Sequence, residues 1–208
     1  VFFPLLGALF MLVFLKGHQT NALRLVAVIS ASVPFVLGIY LYKHFDRTMT
    51  MSGANDGIQF AHHFVWIKSL NIEYFFGVDG ISIAMVLLTA VVCLIAVGAS
   101  WSIKKMLRGY FIMFLLLQTG MMGVFCALDF FMFYVFWEVM LLPMYFLIGV
   151  WGAPSRVDPD GRTRGGPYSA IKFFLYTLAG SVLMLVALIA LYYNSQPTEL
   201  IDGTQAFH

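Results

Sequence analysis

One acidic residue, Glu138, stands alone in a long apolar segment and is the residue best suited to acid–base chemistry. Between Phe130 and Trp151 it is the only ionisable carboxylate. Nine residues of helix after Asp129 would place it about 13 Å from the helix end, near the middle of a hydrocarbon layer about 30 Å thick. An ionised group costs roughly 2.5–3.5 kcal/mol there on insertion scales, so it usually faces a protein interior or a wet cavity. We therefore expect Glu138 to carry a proton.

The neighbours of Glu138 favour the same chemistry. Tyr134 at i−4 and Tyr145 at i+7 would share its helix face and form a polar stripe. Pro143 lies on roughly the opposite face, and its missing N–H frees the carbonyl of Val139 and should kink the helix. A free carbonyl beside an acid is a docking point for water. The alternative is a neutral, structural glutamate that is hydrogen-bonded to a hydroxyl of a neighbouring helix.

Lys172 is the second ionisable residue inside an apolar segment, and it is a possible proton-path residue. Tyr168 and Tyr176 flank it at i−4 and i+4. It lies about 7 Å beyond Pro167 along a helix, so its side chain could equally reach the membrane surface. The depths of Lys172 and Glu138 in the membrane differ by roughly 12 Å, which is too far for direct pairing of the two side chains. Water would have to connect the two groups.

Three polar or sulfur-bearing side chains in other apolar segments suggest packing rather than chemistry. Gln118 is central and neutral, and a hydrogen bond between helices is its expected role. Cys93 and Cys126 show no ligand spacing and are expected to be small buried residues, with neither redox chemistry nor a disulfide implied. The short Ala179–Ser181 segment suggests close helix packing.

The elements that position these residues follow from composition. The chain has 208 residues, of which 61% are hydrophobic and 11% charged, whereas soluble domains carry about 25% charged residues. This excludes a soluble domain and predicts an all-α polytopic membrane protein. The net charge of +2 gives no support for a nucleic-acid partner. Because the sequence begins without Met inside an apolar run, we expect a portion of a longer protein.

Six apolar segments are long enough to be membrane helices, counting the first as truncated. The connections after the first, third and fifth hold eight basic residues, against three after the others. By the positive-inside rule, the N-terminus is expected on the outer side. The six segments are approximately 1–15, 24–42, 80–101, 110–127, 130–150 and 168–193.

The connections themselves carry weaker signals. Residues 69–76, in the long outer loop 43–79, alternate with a period of two and predict a surface strand. Asp79 is placed to cap the third helix. His62 and His63 are adjacent and suggest a surface role rather than a metal site. The Gly- and Pro-rich loop before Pro167 is expected to be a flexible connector, and residues 194–208 an outer-side polar tail.

The segment "DFFMFYVFWEVMLLPMYFLIGVWG", with "GVDGISIAMVLLTA" before it and "AIKFFLYTLAGS" after it, resembles the antiporter-like subunit M family of bacterial respiratory complex I. The mitochondrial and chloroplast equivalent is NADH dehydrogenase subunit 4. The resemblance covers all six segments, and its most specific part runs from Trp137 to Gly152.

The resemblance implies a fold of fourteen helices with two inverted five-helix repeats. Residues 1–109 would hold three lead helices, and residues 110–193 the first three helices of the first repeat. Glu138 would match the family's fifth-helix glutamate, whose lysine partner on the seventh helix lies beyond His208. No cofactor is expected in this subunit, since FMN, iron–sulfur clusters and quinone belong elsewhere in the complex.

The function implied is proton translocation in the membrane arm of NADH:quinone oxidoreductase, driven by remote quinone reduction, which makes the chain part of a translocase. Expected partners are the L-type and N-type neighbouring subunits, the lipid bilayer, protons and water, in a bacterial inner membrane. Two alternatives remain open. One is a subunit of an Mrp-type Na⁺/H⁺ antiporter or a membrane-bound hydrogenase, and the other is a structural scaffold.

Overall fold

Six α-helices carry most of the chain. The computed structural model describes residues 1–46, 57–67, 72–157, 163–194, 197–199 and 205–207. Among these, five helices are long and apolar enough to cross a membrane, and the 12-residue first helix is shorter. The predicted all-α membrane architecture is confirmed. The helices are α1 (Phe3–Phe14), α2 (Thr20–His44), α3 (Gly80–Ala99), α4 (Leu107–Cys126), α5 (Phe130–Trp151) and α6 (Gly166–Asn194).

A β-hairpin lies between α2 and α3. Strand β1 (Gln59–Ile67) pairs antiparallel with β2 (Ile72–Val78). The sequence predicted a strand only in the region of β2, and residues 69–71 of that prediction lie outside the described residues. β1 was missed because its side chains are exposed on both faces and show no alternation. His62 and His63 lie on β1 and are exposed, and His63 forms an ion pair with Glu73.

Two further strand pairs correct the prediction of irregular connections. The loop before α6, expected to be a flexible connector, contains β3 (Arg156–Val157) paired with β4 (Thr163–Arg164). The polar tail contains β5 (Pro197–Glu199) paired with β6 (Gln205–Phe207). These ladders are two or three residues long, so they leave the helical class unchanged.

The hairpin packs against the helix starts at one end of the bundle. Leu128 donates its backbone N–H to the carbonyl of Phe75 at 3.0 Å. The Asp129 carboxylate accepts from the N–H groups of Phe131 and Met132 at 2.8 and 3.0 Å, and so caps α5. The start of α5 is therefore anchored to the strand β2.

Asp79 caps α3 at the same end, as the sequence predicted. Its carboxylate accepts from the backbone N–H groups of Ile81 at 3.1 Å and Ser82 at 2.6 Å. These donors, the Ser82 N–H above all, hold the pKa of Asp79 below its ordinary value because they stabilise the charged form.

α4 lies at the centre of the bundle, with apolar clusters on both halves. The first cluster joins α4 to α1, α2 and α3 around Phe111 and Leu115. The second joins it to α3, α5 and β2 around Met122 and Phe136. Gly123 lets α5 approach closely, since a Cβ built on it would lie 2.1 Å from the Phe136 ring. α6 packs on α5 and leaves most of its surface uncovered.

Basic side chains occupy the opposite end of the bundle, where α1, α3 and α5 finish. Arg24 donates to the Trp101 carbonyl at 2.8 Å, and Lys105 donates to the Val150 carbonyl at 3.0 Å. Arg108 donates to the carbonyl of Leu12 in the last turn of α1. Cations at helix C-termini satisfy free carbonyls and oppose the negative end of the helix dipole. Three residues of the basic set therefore have a structural role.

Candidate functional site

Glu138 lies on the face of α5 that is turned away from α4. Phe136 and Met140 occupy the α4 side, because Cβ atoms built on Gly123 and Gly120 would meet them within 2.1 and 2.5 Å. Two residues along a helix correspond to about 200° of rotation. Glu138 therefore points away from the α4 contact and toward the side on which α6 packs.

Three contacts define the seam between α5 and α6. A Cβ built on Gly149 would lie 3.4 Å from the Ala170 Cβ. The Tyr145 and Phe174 rings lie 5.5 Å apart between centroids. Farther along, Tyr134 interacts with Ser181. The contacts run antiparallel, so Glu138, between Tyr134 and Tyr145 in sequence, is level with residues 178–181 of α6.

The Glu138 carboxyl has one hydroxyl neighbour and one free oxygen. The Tyr134 side chain interacts with the Glu138 carboxyl as well as with Ser181. Ser181 is buried, and its own hydroxyl donates to the Leu178 carbonyl at 3.0 Å. The Oε1 atom of Glu138 is buried and has no hydrogen-bond partner among the described residues. A carboxyl with an unpartnered oxygen keeps acceptor capacity for a proton or for a donor from outside this segment.

Pro143 lies within α5 and is buried on the α4 side. Because proline has no N–H, the carbonyl of Val139 lacks its helical donor. That carbonyl follows Glu138 directly in the chain, and the Val139 side chain is exposed. The free carbonyl of Val139 and the free carboxyl oxygen of Glu138 therefore belong to adjacent residues in the middle of α5.

Lys172 lies on a different surface from Glu138. Ala170, Phe174 and Ser181 mark the side of α6 that faces α5, and Lys172 is two residues, or about 200°, from each of Ala170 and Phe174. Its ammonium lies 5.9 Å from the Tyr176 ring centroid, and Tyr176 is exposed.

Lys172 and its two tyrosines therefore form a stripe on the uncovered side of α6, with Tyr168 also exposed. Within the described part of the chain, no ion pair joins Lys172 to Glu138. The difference in membrane depth expected from the sequence already excluded direct pairing. In the structure, Lys172 also lies on the side of α6 that is turned away from α5.

Sequence reasoning missed Ser181 as a neighbour of the Glu138 site. A serine in an apolar helix signals a polar contact, but its partner depends on which side of α6 meets α5. The close packing expected at residues 179–181 is made by Ser181, whereas a Cβ on Gly180 would meet nothing within 4 Å. Cys93 and Cys126 are buried, as predicted, and both are free thiols.

Two family models match adjoining parts of the chain. One, described as NADH-ubiquinone oxidoreductase chain 4, amino terminus, matches residues 57–127. The other, described as NADH:quinone oxidoreductase/Mrp antiporter, TM, matches residues 127–206 and so includes Glu138 and Lys172. Together they cover the hairpin and α3 to α6.

The chain is similar to named bacterial proteins. NADH-quinone oxidoreductase subunit M of Rickettsia typhi is 37% identical over 198 residues, which is 92% of this chain and 37% of the relative. The subunit M of Rhodobacter capsulatus is 38% identical over 203 residues, covering 96% and 36%. The chain thus spans a little more than a third of the length of these relatives.

The fold matches a chain of respiratory complex I from Thermus thermophilus with a TM-score of 0.70 at 23% identity, covering 93% of this chain and 35% of that one. Sequence and fold agree along nearly the whole length. The chain belongs to the antiporter-like membrane subunits of NADH:quinone oxidoreductase, in the family whose members are called subunit M or chain 4.

Proposed function

We propose that the chain is part of a proton-translocating membrane-arm subunit of NADH:quinone oxidoreductase, and that Glu138 binds and releases the proton. The observation that carries this proposal is the Glu138 carboxyl itself. It lies in the middle of a membrane helix, has a buried oxygen without a partner among the described residues, and is close enough to Tyr134 to interact with it. Such a group in a membrane is retained for function rather than for stability.

The surroundings of the carboxyl suit reversible protonation. Tyr134 lies beside it on the α6 side of α5, and Ser181 lies beside Tyr134. A cation approaching the free oxygen would favour the carboxylate, and its withdrawal would favour the protonated acid. The resemblance implies that this cation belongs to a later helix, beyond His208. Lys172 is a possible second element of the path, reached through water or through residues outside this segment.

Tyr145 and Tyr176 are assigned weaker roles in the same proposal. Tyr145 packs on Phe174 and closes the α5–α6 seam on the side of the basic residues. Tyr176 lies beside the Lys172 ammonium, where a ring face stabilises a cation. Both rings would confine water near the two charged groups rather than exchange protons themselves.

The whole subunit would work inside the complex, beside the L-type and N-type subunits. The uncovered apolar side of α6 fits packing by further membrane helices. FMN, iron–sulfur clusters and quinone would lie in other subunits, and their chemistry would drive this one from a distance. The charge bias favours an orientation with the hairpin end and the N-terminus outside, and the resemblance to bacterial subunits suggests a bacterial inner membrane.

A second function is supported by the family description, which names Mrp antiporters beside the oxidoreductase. In an Mrp-type antiporter or a membrane-bound hydrogenase, the same carboxyl would exchange protons in response to sodium or to another redox partner. Sodium-dependent transport without quinone reduction would favour this alternative.

The decisive variant is Glu138→Gln in the full-length subunit, assembled into the complex and reconstituted in liposomes. Quinone reduction and acidification, followed with a pH-sensitive dye, are measured together. We expect the part of the proton transfer that passes through this subunit to fall at least about tenfold per electron. The complex should still assemble. Glu73→Gln, in the hairpin, is the matched control. Unchanged proton stoichiometry in Glu138→Gln refutes the proposal and leaves the structural scaffold.

A further inference from the structure

Gln118 is a buried polar residue that the proposed proton path does not use. Its side chain is 0% exposed at the centre of α4. Neither the amide nitrogen nor the amide oxygen has a hydrogen-bond partner in the described part of the chain. The sequence predicted a hydrogen bond between helices here, and none is formed among the residues that the structure describes. A buried amide without partners is destabilising, so something must satisfy it.

Gln118 faces away from the Glu138 site. On α4, Gly120 and Gly123 face α5, whereas Leu115 faces α1, where a Cβ on Gly7 would lie 3.5 Å from it. At 100° per residue, Gln118 is 60° from Leu115 and 140° or more from both glycines. The amide therefore points into the bundle of α1, α2 and α3, with α4 itself between it and α5.

A free backbone acceptor lies on the same side. Pro34 is buried inside α2 and has no N–H, so the Ser30 carbonyl lacks its helical donor. Ser30 and Leu115 meet α1 at the same residue, because a Cβ built on Gly7 would lie 2.6 Å from the Ser30 Cβ and 3.5 Å from the Leu115 side chain.

α2 and α4 run parallel, since each is antiparallel to α1. Helix carbonyls point toward the C-terminus, so the Ser30 carbonyl points toward the level of Gln118. That level is three residues, or about 4.5 Å, beyond Leu115.

Three hydroxyl groups on α2, α3 and α4 cannot serve as the missing donors, and the hydroxyl of Ser30 itself is turned toward α1, where a Cβ built on Gly7 would lie 2.0 Å from its Oγ. Thr119 donates to the Leu115 carbonyl at 2.9 Å, Thr89 to the Met85 carbonyl at 2.8 Å, and Ser32 to the Val28 carbonyl at 2.7 Å. Each hydroxyl has one proton, and that proton is already committed within its own helix. The Gln118 oxygen and the Ser30 carbonyl are both acceptors and cannot satisfy each other. The Gln118 nitrogen could donate to that carbonyl, but it has no hydrogen-bond partner among the described residues.

We propose that an internal water molecule binds between α2 and α4 and donates one hydrogen bond to the Gln118 amide oxygen and the other to the Ser30 carbonyl. A water molecule carries two donor hydrogens, one for each of the two acceptors. Buried waters typically make about three hydrogen bonds to polar groups that the protein leaves unsatisfied. The Gln118 nitrogen can supply the third, either to this water or to a second one. The site links the first helices of the chain to α4 and does not depend on proton transfer at Glu138.

The first test is a density map of the full-length subunit in its complex, at a resolution that shows ordered water. We expect a water peak within hydrogen-bond distance of both the Gln118 amide and the Ser30 carbonyl. In Gln118→Leu the peak should be absent while the helices keep their positions. A map in which Gln118 bonds directly to protein atoms, with no water, overturns the proposal.

The second test is a double-variant comparison with Pro34→Ala, which gives α2 an N–H at residue 34 and so occupies the Ser30 carbonyl. If one water bridges both groups, the shifts in thermal midpoint caused by Gln118→Leu and Pro34→Ala should be non-additive. Pro143→Ala, on α5 and away from Gln118, is the matched control and should combine additively. Additive shifts for both pairs would show that no bridge exists.

Discussion

Glu138 and Lys172 lie on opposite sides of α6. The carboxyl faces the seam that contains Ser181, and the ammonium projects from the uncovered side beside Tyr176. The helix between them excludes a direct ion pair. Any coupling between the two groups therefore requires water or side chains that pass around α6, and removal of one charge should have little immediate effect on the other.

The first prediction concerns the hydrogen bonding of the Glu138 carboxyl. Tyr134→Phe removes the neighbouring hydroxyl, so the carbonyl stretch of protonated Glu138 should move to higher frequency. Lys172→Met should leave that band in place. Infrared difference spectra of the full-length complex, with Glu138→Gln to assign the band, provide the measurement. A band that moves in Lys172→Met and not in Tyr134→Phe would reverse the arrangement described here.

The membrane helices were predictable because bilayer length and hydropathy alone define them. All six apolar segments contain a helix, and the largest difference is at α2, which begins at Thr20 rather than near residue 24. The depth of Glu138 followed from counting residues along α5. The stripe of Tyr134 and Glu138 followed from helical periodicity, and in the structure the two side chains are close enough to interact.

The rotation of each helix about its axis was not predictable from the sequence. An almost uniformly apolar helix such as α6 has no strong polar face, so the contact with α5 is decided by local fit. The small Ala170 meets Gly149, and this contact turns Ser181 toward Tyr134 and Lys172 away. The missing partner of Gln118 has the same origin, since the sequence shows a polar residue but not its surroundings.

The second prediction concerns the contact between α4 and α5. Gly123→Ala would place a methyl group 2.1 Å from the Phe136 ring, which must shift. Overpacking of this kind costs about 1–3 kcal/mol. We expect the free energy of unfolding of the full-length subunit in detergent, measured by urea titration, to fall by that amount.

Gly98→Ala on α3 is the control for that prediction, because a Cβ there meets nothing within 4 Å. Replacing a helical glycine by alanine without a clash should stabilise by roughly 0.5–1 kcal/mol. Equal effects of the two substitutions would show that α4 and α5 are farther apart than described.

The third prediction concerns the basic end of the bundle. Arg108→Met removes the donor to the Leu12 carbonyl in the last turn of α1. A cation at a helix C-terminus contributes about 0.3–1 kcal/mol, so unfolding of α1 from the bundle should become easier by that amount. Hydrogen exchange of the α1 amides is the direct measurement.

Lys104→Met is the matched control at the same end. Lys104 is exposed and makes no hydrogen bond or ion pair within the residues that the structure describes. The substitution removes the same charge from the same end of the bundle but leaves the Arg108 contact to Leu12 in place, so exchange in α1 should be unchanged. Faster exchange in both variants would assign the effect to net charge rather than to the capping contact.

The last prediction concerns pH and the cap of α3. The pKa of Asp79 is held below its ordinary value of 3.8 by the backbone N–H groups of Ser82 and Ile81. A group with a lowered folded-state pKa stabilises the fold above its unfolded pKa, and this stabilisation is lost as the pH falls through the folded pKa. At neutral pH, Asp79→Ala should therefore cost about 1 kcal/mol.

The difference between the native protein and Asp79→Ala should stay constant from neutral pH down to about 3.8 and shrink only below it. Thermal unfolding of the full-length subunit at several pH values, followed by helical circular dichroism, measures this difference. Asp79→Asn keeps an oxygen for the cap but carries no charge, so its deficit relative to the native protein should vanish at the lowest pH. A deficit that grows on acidification would contradict the sign derived from these hydrogen bonds, because a protonated Asp79 would then have to cap α3 better than the carboxylate does.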